Sequence, residues 1–352
     1  MKPIKRLQNR LKEEGLDAII LSSPSNISYL VGFKASDSYL IVSRKDSFYF
    51  TDSRYTQEVA PKLFGAFNLK KINGSLFRNI AQACLDSGFN RVGFEERQMP
   101  FAEYKKIKEF LRGRVYLVPT YNIIEGLRQQ KSSIEIIKIK KALEITARGF
   151  SFIKSFIRPG VREIDLAAEL ERFIRYNGAC GAAFDTIVAF GVNSSFPHHS
   201  PTQKRLVNGE VVLIDFGVEY DGYKSDLTRS IFLGKINSLS RKIYNIVLKA
   251  QEKAIKKIKA GEEIAKIDAL SRKYIALNGY AKFFVHSLGH GVGLETHEAP
   301  SISATNDGLL QEGMVLTIEP GIYLPGKFGI RIEDMILVTK KGCEVLSGAV
   351  NK

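Results

Sequence analysis

Asp215, Asp226, His290, Glu319 and Glu333 stand in that order in the second half of the chain, and each closes or flanks a hydrophobic, strand-like run. The runs are VVLIDFG at Asp215, YKSDLTRS at Asp226, HSLGHGVG at His290, MVLTIEPG at Glu319 and GIRIEDMILV at Glu333. Four carboxylates and one imidazole form the ligand set that two divalent cations sharing a bridging water require. Oxygen-rich ligation favours manganese or another hard to borderline ion over a thiolate-seeking one. A single carboxylate beside a strand is ordinarily solvated or paired. Five charged groups punctuating apolar runs are costly to bury unless a cation compensates them.

The segments that must position these residues repeat. Gly160 opens VREIDLAAELERFIRY and leads to Asn177-Gly178; Gly261 opens EEIAKIDALSRKYIAL and leads to Asn278-Gly279. Leu166, Leu170, Phe173 and Ile174 in the first segment, and Ile267, Leu270, Tyr274 and Ile275 in the second, recur at helical spacing. Each predicted helix stops at its Asn-Gly pair. Further on, NGEVVLIDFG mirrors EGMVLTIEPG, and in both the carboxylate lies six residues after one glycine and two before another. The second half is therefore expected to be an internal duplication of a helix-plus-hairpin unit, with the metals between its two copies.

At 352 residues the chain is expected to hold two domains. Residues 1–125 alternate predicted helices (LQNRLKEEG) with strands (DAIILSS, RVGFEE, VYLVPT) and a hairpin (SYLIVSRKDSFYFT), which reads as an α/β domain with a mixed sheet. Near Ile124-Glu125 the pattern gives way to a long helix, KSSIEIIKIKKALEITARGFSFIKSFI, capped by Ser132 or Ser133 and ended by Pro159-Gly160. Residues 126–352 then form the duplicated α+β domain, and with no long linker the two are expected to pack together. The net charge of +15 is spread over both parts rather than gathered in a block, which argues against a nucleic-acid-binding protein. The apolar runs are short for a membrane span, and the amino terminus lacks a signal-like hydrophobic region, so a cytoplasmic location is expected. The three cysteines, Cys84, Cys180 and Cys343, have neither metal nor redox spacing.

Together with FPHHS, SDLTRS, HSLGHGVGLETHE, TIEPGIY and RIEDMILV, the five ligands resemble the Xaa-Pro peptidase family, which comprises aminopeptidase P and Xaa-Pro dipeptidase (prolidase). SPSNISYLVGF, FTDSRYTQE and LRQQKSSIEIIKIKKA extend the resemblance over nearly the whole chain. It implies a creatinase/prolidase-type N-terminal domain followed by a pita-bread metallopeptidase domain. It further implies two divalent ions, with manganese expected and cobalt or zinc as alternatives. Asp215 would chelate one ion, His290 and Glu319 the other, and Asp226 and Glu333 would bridge them. Two shared anions would offset the mutual repulsion of a close dication pair, and a water between the ions would ionise near neutrality. Glu319, able to reach that water, would shuttle its proton to the leaving proline nitrogen.

Besides His290, the four other histidines also fall in these motifs. By the same resemblance His198 would contact substrate beside the scissile bond, with His199 the weaker match, and His286 and His297 would line the substrate site. A neutral imidazole can donate to the oxyanion of acyl transfer, the role expected of His297. Arg331 shares a strand face with Glu333 and would hold acidic groups and substrate. The glycines of Gly289-His290-Gly291 would let backbone pass close to the ligand rather than cradle a dinucleotide. Phe184, Phe196 and Tyr323 are candidates for the proline pocket by position, although core packing also accounts for them. The resemblance implies a proline-containing peptide as substrate and a homodimer as assembly. The expected activity is that of an Xaa-Pro aminopeptidase, with a dipeptidase as the alternative. A methionine-aminopeptidase-like activity fits less well, given the N-terminal domain and the RIED motif. A non-catalytic pita-bread binding protein fits poorly with a complete ligand set.

Overall fold

Short runs of β-branched and aromatic residues form the strands of a computed structural model that describes residues 3–63, 65 and 67–352. The chain divides into two compact units, Met1–Arg128 and Gln129–Lys352. In the first, the strands are β1 (Ala18–Leu21), β2 (Ser38–Ser43), β3 (Ser47–Thr51), β4 (Asn68–Lys71), β5 (Arg91–Glu95) and β6 (Tyr116–Thr120). They make one sheet in the order β4-β3-β2-β1-β5-β6. The expected hairpin is the antiparallel β2–β3 pair, while β1–β5, β5–β6 and β3–β4 run parallel. Ile20, Ile41, Phe50 and Val92 of this sheet share a core with Ile80, Cys84 and Ile107 from helices Leu76–Asp86 and Phe101–Leu111. Burial pushes the Cys84 thiol up to about 12, which leaves it a packing residue.

The second unit begins with helix Ser133–Lys154, whose Ser132 and Glu135 exchange side-chain bonds to each other's backbone N–H in a capping box. This helix stops at Lys154, short of Pro159-Gly160: Ser155, Phe156 and Ile157 make i→i+3 bonds that tighten and end it first. Then come β7 (Gly181–Ala182), β8 (Ile187–Phe190), β9 (Val211–Asp215), β10 (Val218–Tyr220), β11 (Tyr223–Lys224) and β12 (Thr228–Phe232). The later strands are β13 (Gly289–Gly291), β14 (Glu298–Ile302), β15 (Val315–Ile318), β16 (Gly321–Leu324), β17 (Phe328–Arg331), β18 (Asp334–Val338) and β19 (Cys343–Val345). β9 lies between β8 and β12, all antiparallel, and β15 lies likewise between β13 and β18.

The duplication extends to single hydrogen bonds. Gly160 N–H donates to the Leu206 carbonyl and Gly261 N–H to the Leu310 carbonyl, both at 2.8 Å. Ile164 bonds Thr202 as Ala265 bonds Asn306, at 3.1 and 3.0 Å. Helices Glu163–Tyr176 and Ile264–Leu277 both end at an asparagine followed by a glycine in the left-handed region, Gly178 (φ 89) and Gly279 (φ 86). Leu166, Leu170 and Ile174 pack on Val188, Val212 and Ile214 in one half; Ile267 and Ile275 pack with Leu316, Ile318 and Ile336 in the other. Each such aliphatic chain contributes about 1.5–3 kcal/mol by leaving water. Among the described residues no helix is long and apolar enough to cross a membrane.

Candidate metal centre

Each candidate ligand sits where a strand of the duplicated sheets ends or turns. Asp215 is the last residue of β9, Asp226 lies between β11 and β12, and His290 is the middle residue of β13. Glu319 directly follows β15, and Glu333 lies in the corner between β17 and β18. Glycines bring these segments together. A Cβ on Gly289 would overlap the Thr317 carbonyl, one on Gly217 the Ser225 carbonyl, and one on Gly291 the Ala299 carbonyl. The GHG element therefore does allow close backbone passage, and the β13–β14 register shifts between His290 and Gly291.

All five side chains line one cavity of about 600 Å³, together with His198, His286, His297 and Arg331. Asp226, His290 and Glu333 each offer a ligand atom, and these atoms all lie within 4.8 Å of one another. His290 Nδ1–H donates to the Gly291 carbonyl at 3.1 Å, which fixes the tautomer and turns Nε2 toward the carboxylates. Nε2 lies 3.3 Å from Glu319 Oε1 and 3.7 Å from Asp226 Oδ2. Thr228 donates to Glu333 Oε2 at 2.8 Å, and Thr317 donates to Glu319 Oε1 at 3.3 Å while accepting the His290 N–H. Both threonines escape sequence reasoning, because a threonine in a strand ordinarily reports only β-propensity. Spacing offers the one available signal: each stands two residues from a ligand.

Arg331 is buried behind this group and donates to Asp215 Oδ2 (2.5 Å), Thr228 Oγ1 (3.0 Å), the Tyr323 hydroxyl (2.8 Å) and the Pro197 carbonyl (3.3 Å). Asp215 Oδ1 is buried with no hydrogen-bond partner. An orphaned carboxylate oxygen facing a nest of other acids is a cation-binding arrangement. Electrostatics says the same. Burial, then the charges of Glu333 and Asp215, hold the Asp226 carboxyl well above its usual range; burial, then Glu319 and Asp215, do so for Glu333. Burial opposes ionisation of His290 and Glu319 too, but their mutual hydrogen bond and attraction outweigh it. His290 rises to about 9 and Glu319 falls to about 2. Without a cation, the group must hold protons to stay buried.

The remaining histidines occupy different settings. His286 Nδ1–H donates to the Ser287 carbonyl at 2.7 Å, so Nε2 accepts from the Tyr323 hydroxyl at 2.9 Å, and both ring nitrogens are engaged. The His297 ring packs beside that of His290, centroids 4.3 Å apart, and burial with the adjacent His290 keeps it below the usual histidine range. His198 is exposed on the cavity wall, and its charge would be felt at both His286 and His297. His199 also borders the cavity, but its Nε2 is taken by Glu163, 2.9 Å from Oε2. Of the three pocket aromatics considered, Phe184 lines the cavity, Tyr323 is buried holding His286 and Arg331, and Phe196 is exposed beside His199.

Residues 137–340 match the metallopeptidase family M24, and residues 3–130 match the creatinase/prolidase N-terminal domain. The chain belongs to the M24 metallopeptidases, with a catalytic domain of the pita-bread fold behind a creatinase-type N-terminal domain. It is similar to an Xaa-Pro dipeptidase from Bacillus anthracis, a solved structure with 39% identity and a TM-score of 0.95 over 99% of this chain and 97% of that one. An X-Pro aminopeptidase from Thermotoga maritima matches at 37% identity and a TM-score of 0.88, covering 96% of this chain and 97% of that one. An Xaa-Pro dipeptidase of Pyrococcus horikoshii is 36% identical over 98% of this chain and 96% of its own length. The chain is thus a metallo-exopeptidase that works with divalent metal ions and acts on peptides.

Proposed function

We propose that this chain is an Xaa-Pro dipeptidase carrying two manganese ions. The observation that carries the metal reading is the orphaned Asp215 Oδ1 among buried acids whose protonation is otherwise forced. The dipeptidase reading, in place of the aminopeptidase expected from sequence, rests on the dipeptidases among the similar proteins. The oxygen-rich donor set favours manganese. In this reading Asp226 and Glu333 would be shared by both ions, Asp215 would hold one, and His290 with Glu319 the other. When bound, such ions supply Lewis acidity and a water that ionises near neutral pH.

The chain's own residues do the rest. Burial raises the Asp215 carboxyl above its usual range; Arg331 works against that by donating to Oδ2, and Oδ1 is left without a hydrogen-bond partner. Glu319, held ionised, accepts the proton of the attacking water and returns it to the proline nitrogen, which as part of a tertiary amide has no hydrogen of its own. His297 and His198, both on the cavity wall, donate to the carbonyl oxygen as it gains charge. His286, held at both nitrogens, forms a fixed wall.

The test is proline release from Xaa-Pro and Xaa-Pro-Yaa by protein loaded with manganese, alongside metal stoichiometry. Two ions per chain and a kcat/KM for Xaa-Pro at least tenfold above that for the tripeptide are expected. Equal or faster cleavage of the tripeptide would return the assignment to an aminopeptidase.

A further inference from the structure

The duplication has one unequal position near the cavity. Glu163 and Ile264 occupy equivalent places: each opens the helix after its Gly160 or Gly261, and each N–H bonds a returning carbonyl, Lys204 in one half and Gly308 in the other. Ile264 is buried among the apolar side chains of its half. Glu163 is buried as completely, yet it is a carboxylate. The fold alone does not require an acid here, because the second copy closes with an isoleucine. Something particular to the first copy does.

What differs is the segment that faces it. In the second half, Glu298–Ile302 is strand β14, held by its ladder to β13. In the first half β8 is an edge strand, and the equivalent stretch, residues 194–198, has no ladder to hold it. Five donors from the surrounding loop converge on Glu163 instead. They are Phe190 N–H (2.7 Å), Asn193 Nδ2 (2.9 Å), His199 Nε2 (2.9 Å), Thr202 N–H (2.9 Å) and the Thr202 hydroxyl (2.5 Å). Burial works against the charge, but these bonds together hold the carboxyl below its usual range. The same loop is gripped further along, where Gly329 N–H donates to Ser194 and Arg331 to the Pro197 carbonyl. Between the Arg331 grip and the Glu163 grip on His199 stands His198, facing the cavity.

We propose that Glu163 is a positioning residue for substrate turnover, its carboxylate replacing a missing strand ladder so that the 190–202 loop holds His198 against the bound peptide. The proposal rests on the reading of His198 as a substrate contact. It assigns His199 a part as well: its imidazole is an anchor of the loop rather than a second reactive group. A buried acceptor with five donors is stiffer than a solvated loop, and sub-ångström placement of a donor governs how strongly it meets developing charge.

The test is a double-mutant cycle on the manganese-loaded full chain, with Glu163→Gln, His198→Ala and the pair, reading metal content, kcat and KM. The expected result is full metal content in all three and a roughly tenfold loss of kcat/KM in Glu163→Gln. In the His198→Ala background the same change should cost less than about twofold. Losses that multiply in the double variant, or full activity in Glu163→Gln, would overturn the proposal while leaving His198 as assigned. Full activity in His198→Ala would overturn both readings. Should Glu163→Gln fail to fold, Thr202→Val removes one donor with little change of shape and enters the same cycle. Its smaller loss should likewise vanish without His198, and persistence of that loss would overturn the proposal.

Discussion

Glu333 and Asp226 carry the heaviest electrostatic penalty of any acids in the site, because each is buried and faces other carboxylates. Substituting either by alanine should relieve that penalty in the metal-free chain yet remove a ligand shared by both proposed ions. Activity should be lost and metal content should fall from two ions toward one or none. Near-normal occupancy and turnover in Glu333→Ala would contradict a dinuclear site. His297 is a different case: it packs on His290 but bonds none of the carboxylates among the described residues. His297→Ala should retain both metals and lose on the order of a hundredfold in kcat/KM; loss of metal would mark it as a ligand. At this scale the acids and His290 could be read from the chain because charged residues interrupting apolar strands are costly and therefore conspicuous. Thr228 and Tyr323 could not, since their hydroxyls matter through Glu333, far along the chain, and Arg331, across the β16–β17 hairpin. Thr317 could not either, since a threonine two residues before an acid on a strand reads as ordinary β-propensity.

Elements place these groups through close backbone approach and buried cations. Gly289 lies where β13 crosses the end of β15, and a methyl group there would strike the Thr317 carbonyl. Gly289→Ala should therefore push β13 away from Glu319, cost about 1–3 kcal/mol and weaken metal retention. Urea unfolding with metal analysis would check both, and an unchanged metal content would show that β13 tolerates the shift. Arg229, on β12, works from behind the site: it donates to the Glu333 carbonyl and to those of Thr228 and Val350 (3.0 and 2.7 Å), and it pairs with Asp334 at 2.9 Å. It is thus a strut for the corner that presents Glu333. Arg229→Met should cost about 3 kcal/mol, toward the lower end for a broken buried pair, because Lys352 still reaches Asp334 at 2.6 Å. A loss below about 1 kcal/mol in urea would deny it that structural part. Helix starts and the Asn-Gly stops were readable from local chemistry, whereas the early end of Ser133–Lys154 was not. Nothing in KSFIRPG distinguishes a helix that ends at its proline from one that ends a turn before it.

For the molecule as a whole, the site's charge is divided between the two copies of the duplication, Asp215 and Asp226 in one and His290, Glu319 and Glu333 in the other. Metal should therefore bind the copies together, and its removal should destabilise residues 129–352 in a manner that depends on pH. A carboxyl held above its ordinary value binds more protons when folded than when unfolded, so Asp226 and Glu333 lose stabilisation as pH climbs above the ordinary carboxyl range. His290, raised from 6.5 to about 9, has the same sign: its contribution is full below 6.5 and lost as pH rises to about 9. Glu319, lowered to about 2, contributes stability that is lost only on acidification, and His286 and His297, held below 6.5, act on the acid side as well. Between pH 6.5 and about 9 the metal-free site thus contributes a falling stability. Bound cations reverse this, since they replace the protons on the carboxylates and occupy His290 Nε2, and proton competition for the ligands weakens as pH rises. Urea unfolding at pH 6.5 and 8.5, with and without manganese, should show the metal-free chain weakening while the loaded chain holds level or strengthens. Hydrogen exchange should place the difference in β9, β13, β15 and β18, because the ligands and the hydrogen-bond partners described for them all belong to residues 129–352. A metal-free chain whose stability stays flat or rises over this window would mean that the acids are solvated in solution, and the case for a cation site built on their burial would fall with it.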